Sequence, residues 1–454
     1  MFEIKPEQVI PTLRKHMLVD GYHMVLDLEK CEGQYVYDAL NQRKYLDLFG
    51  FFATSPVGHN HPALREPEFE KRLLRAARLK PSNSDFYTRE MAEFVATFSR
   101  VAIPDYLPHL FMISGGALAV ENALKTAFDW KVRKNFRKGY QTEKGHQVLH
   151  FREAFHGRSG YTLSLTNTAD PRKYQYFTRF DWPRITNPKI TFPLSGENLE
   201  KVIALEKQAE QEILQAFAER KDDIAAIIIE PIQGEGGDNH FRPEFLARLR
   251  EIADENEAML IFDEVQTGIG LTGEMWAHQA LNVKPDIMAF GKKTQVCGIL
   301  AGTRVDEVEN NVFHERSRIN STWGGNLVDM VRFQKYLEII ESENLLENVR
   351  HTGEYFKSKL AALSGRLGED VMSNLRGRGL MLAFDLPSGT FRDAFVQQCQ
   401  HNGLLIFGCG HRSIRVRPML DLQKSHVDEA IEIIEKSLKE VLAKKLDAGQ
   451  DAHA

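Results

Sequence analysis

The 454-residue chain lacks the features that mark several large classes of protein. It has only four cysteines, Cys31, Cys297, Cys399 and Cys409, which lie too far apart in the sequence to form a metal-binding pair. We expect them to be reduced thiols in a cytoplasmic protein. No block rich in lysine or arginine stands out and the formal charge is -5, so no nucleic-acid partner is expected.

Long apolar runs are missing as well. No uninterrupted apolar stretch approaches the length needed to span a bilayer, and the first residues lack the basic-then-apolar layout of a signal peptide. We therefore expect no membrane association. The chain is 43% hydrophobic and 27% charged, which is ordinary for a soluble protein with two or three domain-sized cores.

The middle of the chain, from about residue 76 to 330, alternates between short apolar runs and amphipathic helix patterns. The runs have no polar alternation, which is typical of strands buried on both faces in a mostly parallel sheet. They cover residues 110–113, 147–151, 224–229, 259–262 and 287–290. This order predicts a doubly wound α/β domain with a ligand crevice at the carboxyl ends of its strands.

The two flanking parts of the chain have different patterns. Residues 1–75 mix short strand-like pieces with turns. The C-terminal part begins with a long helix pattern over residues 330–343 and continues as a second α/β unit, whose final helix covers about residues 425–443. We therefore divide the chain into segments 1–75, 76–330 and 331–454.

A carboxylate and a lysine end two neighbouring strand patterns. Asp263 closes the apolar run that starts at Ala258, and Lys292 follows the run that ends at Gly291. This pair suits pyridoxal phosphate (PLP), because the lysine amine forms a Schiff base with the aldehyde and the carboxylate keeps the pyridine nitrogen protonated. The alternatives are a helix-capping aspartate and, for Lys292 with Lys293, solvated surface lysines.

Two loops that follow strand patterns suit the same chemistry. In the segment Ser114–Ala117, glycines let backbone N–H groups approach an anion at a helix N-terminus. Taken alone the glycine pair favours a tight strand-to-helix turn, but its presence in a chain with Asp263 and Lys292 favours anion binding. In the segment 154–158, Phe155 can stack on a flat cofactor and Arg158 can clamp a carboxylate. The alternative is a core phenylalanine beside an exposed arginine.

Further polar residues follow other strand patterns. Glu235 lies in a glycine-rich loop, either as a carboxylate that reaches a cleft or as a solvated acid in a turn. Gln266 can contact a cofactor oxygen, and Thr322 can donate to a phosphate. Arg415 and Arg417 share one face of a strand, either as a carboxylate-binding pair or as a charged outer face.

Together these pieces resemble the class III (ornithine/ω-amino acid) aminotransferases of PLP fold type I. The resemblance extends from the loop at 58–62 to the Arg415 strand, and it rests on motifs at 114–116, 155–157, 230–235, 261–266, 291–292 and 322. It implies PLP as the cofactor and a homodimer with shared active sites. It also implies a large doubly wound, mostly parallel-sheet domain plus a smaller α/β domain built from the N- and C-terminal segments.

The resemblance assigns roles around the cofactor ring. Lys292 is implied to be the Schiff-base lysine and the proton shuttle, because it directly follows the glycine of the family pattern. Asp263 is implied to pair with the pyridine nitrogen, Gln266 to contact the phenolic oxygen and Phe155 to stack on the ring.

The resemblance also assigns the phosphate contacts. Gly115 and Gly116 are implied to bind the phosphate through their backbone, with Ser114 as a helper. Thr322 is implied to reach the phosphate of the neighbouring subunit, and this is why the family pattern requires a homodimer.

The chain departs from the general family pattern after Ser114-Gly-Gly and after Lys292, where residues 293–298 replace a small, glycine-rich stretch. These variants, together with segments 180–184 and 320–326, are similar to the lysine-specific branch of the family. The branch implies transfer of the ε-amino group of L-lysine to 2-oxoglutarate. Another ω-amino donor, an aminomutase and a non-catalytic PLP-binding protein stay as alternatives.

The arginines fit two substrates with different charges. The resemblance implies that Arg158 holds the carboxylate far from the reacting carbon and that Arg415 holds the near carboxylate of 2-oxoglutarate. Glu235 is implied to neutralise Arg415 while L-lysine is bound. The pattern gives no role to Arg417, and it leaves open whether Glu264 influences specificity.

Overall fold

The computed structural model describes residues 4–451. Residues 1–3 and 452–454, which the predicted terminal segments include, lie outside the described residues. The strands are β1 Tyr35–Asp38, β2 Arg43–Asp47, β3 His109–Ile113, β4 Gln147–Phe151, β5 Arg184–Ile185, β6 Ile224–Ile229, β7 Ile232–Gln233, β8 Asn239–His240, β9 Met259–Asp263, β10 Ile287–Phe290, β11 Cys297–Ala301, β12 Ser373–Arg378, β13 Met381–Asp385, β14 Leu404–Leu405, β15 Phe407–Cys409 and β16 Ser413–Val416.

The helices connect these strands or pack on them. They are α1 Pro6–Arg14, α2 Gly50–Ala53, α3 Pro67–Arg78, α4 Arg89–Val101, α5 Gly116–Arg137, α6 Gly160–Leu165, α7 Gly196–Glu219, α8 Pro243–Glu255, α9 Ala277–Leu281, α10 Leu327–Ser342, α11 Leu345–Leu367, α12 Gly389–Asn402 and α13 Lys424–Asp451. Within the described part of the chain, none of them combines the length and the apolar character needed to cross a membrane.

The central sheet has seven strands in the order β3-β11-β10-β9-β6-β4-β5. The pairs β10–β9, β9–β6, β6–β4 and β4–β5 are parallel, and only β11 runs against its neighbours β10 and β3. The predicted mostly parallel sheet is therefore confirmed. It brings the carboxyl ends of β4, β6, β9 and β10 to one edge.

Apolar side chains cover both faces of this sheet. Ile228 and Ile261 pack in the core beneath helix α5, whereas Ile227 and Leu260 belong to the core beneath α7 and α8. Successive residues of a strand point to opposite faces, so an unbroken apolar run serves two layers of helices at once. This confirms the predicted doubly wound α/β architecture.

A second set of sheets joins the two ends of the chain. Strands β12, β13, β16 and β15 form an antiparallel sheet, while β14 pairs in parallel with β2 beside β1. Residues of the N-terminal and C-terminal segments thus share one small sheet. The boundaries at residues 75 and 330 stay a prediction.

The helix predicted over residues 330–343 is confirmed as α10, Leu327–Ser342, but the sequence analysis did not predict the second long helix, α11, that follows it. Helix α10 ends at Ser342 and α11 begins at Leu345, with Asn344 in the left-handed region at φ 51°. The left-handed residue interrupts the right-handed helical path between α10 and α11. Helix α10 packs on α3 and α4.

The short element α2 is a left-handed turn. Gly50, Phe51, Phe52 and Ala53 have φ values of 54°, 50°, 59° and 65°. Successive non-glycine residues rarely adopt this conformation, so the surrounding structure has to hold it. A Cβ on Gly50 would lie 2.5 Å from the carbonyl oxygen of Arg417, which requires glycine at the start of the turn.

Candidate active site

Strands β9 and β10 place Asp263 at the edge where parallel strands end. Asp263 lies opposite Ala289 in the pairing, and the chain then continues through Gly291 to Lys292. The buried Asp263 carboxylate accepts from the backbone N–H of Val265 at 3.1 Å and lies 2.8 Å from His156 Nδ1. A buried carboxylate needs such partners, because an unpaired one is costly to bury.

A cavity of about 500 Å³ opens in front of this carboxylate. Eight of the residues singled out from the sequence line it. They are Gly116, Phe155, Arg158, Glu235, Asp263, Gln266, Lys292 and Arg415. The structure therefore brings together an amine, two carboxylates, two guanidinium groups and an aromatic ring from distant parts of the chain.

The adjacent lysines Lys292 and Lys293 face in different directions. Lys292 lines the cavity, has φ 57°, and has a pKa that burial and the nearby Arg415 lower to about 8. Lys293 is fully buried and donates to the carbonyl oxygen of Ala53 at 3.0 Å. Burial lowers the pKa of Lys293 well below its ordinary value. Lys293 thus stabilises the left-handed turn, and only Lys292 offers its amine to the cavity.

The Glu235 carboxylate lies between two cations. Its Oε2 accepts from Arg415 at 2.5 Å, and its Oε1 accepts from Lys173, a residue that sequence reasoning missed. Burial raises the pKa of Glu235, but Arg415 and Lys173 outweigh burial and hold that pKa below its usual range. The predicted Arg415–Glu235 pair is therefore present in a charged state. The guanidinium of Arg415 also lies 4.3 Å from the centre of the Phe407 ring.

Arg417 has a definite place behind this pair. It is fully buried and donates to Asp238 at 2.5 Å. Both Arg415 and Arg417 also donate to Gln266 Oε1, at 3.2 to 3.3 Å. Since the oxygen of the Gln266 amide is held by two arginines, its Nε2 is the end left to donate to a ligand oxygen.

Glu264, the neighbour of Asp263, does not line the cavity. It is fully buried and accepts from the backbone N–H groups of Ala277 and His278, at 3.0 and 2.8 Å. These are free donors at the start of helix α9, so Glu264 caps that helix. The Glu264 contacts are therefore structural.

His156 and Glu230 are the other residues with roles that the sequence did not indicate. His156 holds Asp263, and the Nε2 atom of the same ring is buried without a hydrogen-bond partner among the described residues. Glu230 accepts from the backbone N–H groups of Phe155 and Gly234 at 3.0 and 2.9 Å, and burial raises its pKa to about 7. Both residues hold the loops that carry cavity side chains. The available signal was their place in the motifs at 155–157 and 230–235.

Three residues that were predicted to contact the phosphate do not line the cavity. Ser114, Gly115 and Thr322 are exposed rather than part of the cavity lining. Gly115 has φ 105° and precedes helix α5, whose first residue, Gly116, does line the cavity. A Cβ on Gly116 would lie 2.9 Å from Val265, so glycine lets the helix N-terminus approach the Asp263 turn.

These groups fit PLP. The cavity offers an amine of lowered pKa, a buried carboxylate, an aromatic ring and a helix N-terminus, which are the partners that its aldehyde, pyridine nitrogen, ring and phosphate require. Among the described residues, no cluster of histidine, cysteine and acidic side chains suits a metal ion. Fold and site together define a PLP-dependent transferase of fold type I. A family model for class III aminotransferases matches residues 17–438, and the chain belongs to that family.

Individual similar proteins are aminotransferases as well. The chain is 52% identical to an L-lysine-epsilon aminotransferase of Mycobacterium tuberculosis, over 95% of this chain and 96% of that protein. It is 47% identical to an L-lysine-epsilon aminotransferase of Streptomyces clavuligerus, over 96% of this chain and 95% of that one. A crystallised lysine aminotransferase from M. tuberculosis, in the internal aldimine form, matches with a TM-score of 0.94 and 51% identity, covering 96% of this chain and 100% of that one.

The pKa of Lys292 leads to a pH prediction for cofactor binding. An amine reacts with an aldehyde in its neutral form, and the neutral fraction rises as pH rises through about 8. The rate of PLP uptake by the apoprotein, followed by visible absorbance, should therefore rise about tenfold from pH 7 to 9 and then level off. An unshifted lysine would give a rise of about a hundredfold without levelling off.

A second experiment, on the PLP-loaded protein, distinguishes the two adjacent lysines. Reduction with borohydride followed by peptide mass mapping should place the cofactor on Lys292. A label on Lys293 would contradict the assignment.

Proposed function

We propose that this protein transfers the ε-amino group of L-lysine to 2-oxoglutarate, giving 2-aminoadipate 6-semialdehyde and L-glutamate. The semialdehyde then cyclises, because its own α-amine and aldehyde form a favourable ring, to a piperideine carboxylate. The observation that carries the proposal is the Glu235–Arg415 ion pair in a cavity that Arg158 also lines.

The two substrates place different demands on this cavity. L-lysine that presents its ε-amine to the reacting centre has an apolar chain near Arg415 and its only carboxylate far away. Arg158 is suited to hold that remote carboxylate, and Glu235 keeps Arg415 neutralised meanwhile. 2-Oxoglutarate brings a second carboxylate close to its keto carbon. That carboxylate takes the place of Glu235 on Arg415, so the cavity accepts one substrate with a single carboxylate and one with two.

The remaining residues position the cofactor and transfer protons. When bound, PLP supplies a carbonyl carbon for the amino group and an electron-accepting ring. Asp263, held by His156 and the Val265 N–H, keeps a proton on the ring nitrogen. The Lys292 amine, with a pKa of about 8, accepts and returns a proton near neutral pH. Phe155 contributes a wall of the cavity, and Gly116 and Gln266 would donate to the anionic oxygens of the bound cofactor.

We further propose a homodimer with shared active sites. Thr322 is exposed in the single chain, and its loop is hydrogen-bonded to the segment of Asn83 and Ser84. The nearby Phe86 and Tyr87 are 71% and 82% exposed. Exposed aromatic surface of this kind is typical of a protein–protein interface.

The proposed location is the cytoplasm. All four cysteines are buried and free, which suits a reducing compartment.

Single-turnover spectra of the PLP-loaded protein test the substrate. L-lysine is expected to bleach the visible absorbance of the bound cofactor, and 2-oxoglutarate is expected to restore it. L-ornithine and 4-aminobutyrate serve as matched amines of different length and charge pattern. Bleaching by either of these amines, with L-lysine inert, would keep the family and refute the proposed substrate.

Removing the Glu235 charge should separate the two half-reactions. In Glu235→Ala, Arg415 has no carboxylate partner beside the apolar chain of L-lysine, so the lysine half-reaction should slow about tenfold to a hundredfold. The 2-oxoglutarate half-reaction should be unchanged or faster. Stopped-flow absorbance measures each half-reaction alone. Glu235→Gln, which keeps the shape and removes the charge, should behave like the alanine variant. Equal slowing of both half-reactions would argue against the exchange of partners on Arg415.

Subunit mixing tests the shared site. Lys292→Ala and Thr322→Ala each impair their own homodimers. In a mixed dimer, one site combines the intact Lys292 of one chain with the intact Thr322 of the other. About a quarter of the wild-type activity should therefore return after subunit exchange, since half the dimers are mixed and each has one intact site. Activity no higher than the sum of the two separate variants would place Thr322 in its own chain's site.

A further inference from the structure

Lys173 is the second cation on Glu235. It lies in the segment between β4 and β5 but outside the motifs of the sequence analysis. Its ammonium contacts Glu235 Oε1. Its side chain is 16% exposed, and that of Glu235 is 24% exposed. The ammonium also lies 5.9 Å from the centre of the Phe155 ring. Glu235 is thus shared between a cation on each side.

The far side of this pair is open. Lys173 and Glu235 line the cavity that contains Lys292, and both also line a neighbouring cleft of about 440 Å³. They therefore form the wall between the two spaces. A Glu235 carboxylate that leaves Arg415 has room to move into this cleft without displacing a packed side chain.

The other two cations at this cleft, Arg172 and Arg392, are already bound. Arg172 donates to the Asp170 carboxylate at 2.8 and 3.0 Å. Arg392 donates to Asp393 at 2.9 Å and to the carbonyl oxygen of Gly410 at 3.0 Å. Lys173, in contrast, has Glu235 as its ion-pair partner in the structure. Lys173 is the cation that can keep its contact with Glu235 throughout such a movement.

We propose that Lys173 is a positioning residue that receives the Glu235 carboxylate when a dicarboxylate occupies Arg415. The inference rests on the proposed function, because it concerns the step in which 2-oxoglutarate replaces Glu235. Displacing a carboxylate from a buried guanidinium is costly if the freed charge has no partner. Lys173 lowers this cost because its ammonium pairs with the whole carboxylate charge once Arg415 no longer shares that charge. L-lysine leaves the Glu235–Arg415 pair in place, so its binding does not draw on Lys173.

A double-mutant cycle with an unreactive ligand tests this role. Glutarate, a five-carbon dicarboxylate without a keto group, is titrated into the holoenzyme by isothermal calorimetry. Lys173→Gln should weaken glutarate binding about tenfold in the wild-type background. In the Glu235→Gln background there is no charge to receive, so the same substitution should change binding by less than about twofold.

Two control variants accompany the cycle. Arg172→Gln removes one positive charge from the adjacent residue, which also lines the cleft but whose guanidinium pairs with Asp170 at 2.8 Å rather than with Glu235. It should leave the affinity for glutarate within about twofold of wild type, as should Lys173→Arg, which keeps the charge. In stopped-flow measurements, Lys173→Gln should slow the 2-oxoglutarate half-reaction and leave the L-lysine half-reaction unchanged.

The outcomes divide clearly. An unchanged glutarate affinity in Lys173→Gln would overturn the proposal. Equal losses in both backgrounds would also overturn it, since Lys173 would then contact the dicarboxylate directly. The proposed substrate fails separately: if L-lysine does not react while the glutarate cycle shows the expected coupling, only the choice of amine is wrong. If L-lysine reacts and the cycle shows no coupling, only the role of Lys173 is wrong.

Discussion

Parallel strands deliver their last residues to one edge of a sheet, and β9 and β10 do so in register, with Asp263 opposite Ala289. The next strand, β11, runs back antiparallel to β10, so the chain has to turn sharply just beyond Gly291. This turn carries Lys292 at a left-handed φ and sends Lys293 to the opposite side. The amine and the carboxylate of the site therefore owe their closeness to one pairing of strands.

Near this pair of strands, carboxylates of the protein neutralise the two buried guanidinium groups. Arg415 and Arg417 are 2% and 0% exposed, and each has its own carboxylate, Glu235 or Asp238. Two buried guanidinium groups side by side would otherwise repel one another and remain poorly solvated. The difference between the two pairs is accessibility. Asp238 is fully buried, whereas Glu235 borders two open spaces, so only the Glu235 pair is free to exchange partners.

Most of the architecture could be predicted from the sequence because unbroken apolar runs leave few choices. The run 224–229 has no polar position, and such a segment fits only a strand covered on both faces. Helix α11 was not predicted, and its start depends on Asn344 adopting a left-handed conformation, which local sequence permits without requiring.

The candidate site divides in the same way. Asp263 and Lys292 could be located because strand ends fix them, and eight predicted residues line one cavity. The exposure of Thr322 and Ser114 could not be foreseen from the sequence. Lys173 and His156 were missed as participants because their significance is a contact across the fold, with Glu235 and Asp263, that no spacing in the sequence encodes.

The left-handed turn at Gly50–Ala53 joins regions far apart in the chain. Its conformation is held by the buried amine of Lys293 and by the close approach of the Arg417 carbonyl to Gly50, whereas the Phe52 side chain reaches the cavity and is 53% exposed. Backbone and side chain at this wall are thus supported by different parts of the molecule. For an engineer who wishes to reshape the cavity for a bulkier amine, Phe52 is a wall whose side chain can be exchanged while its scaffold stays fixed.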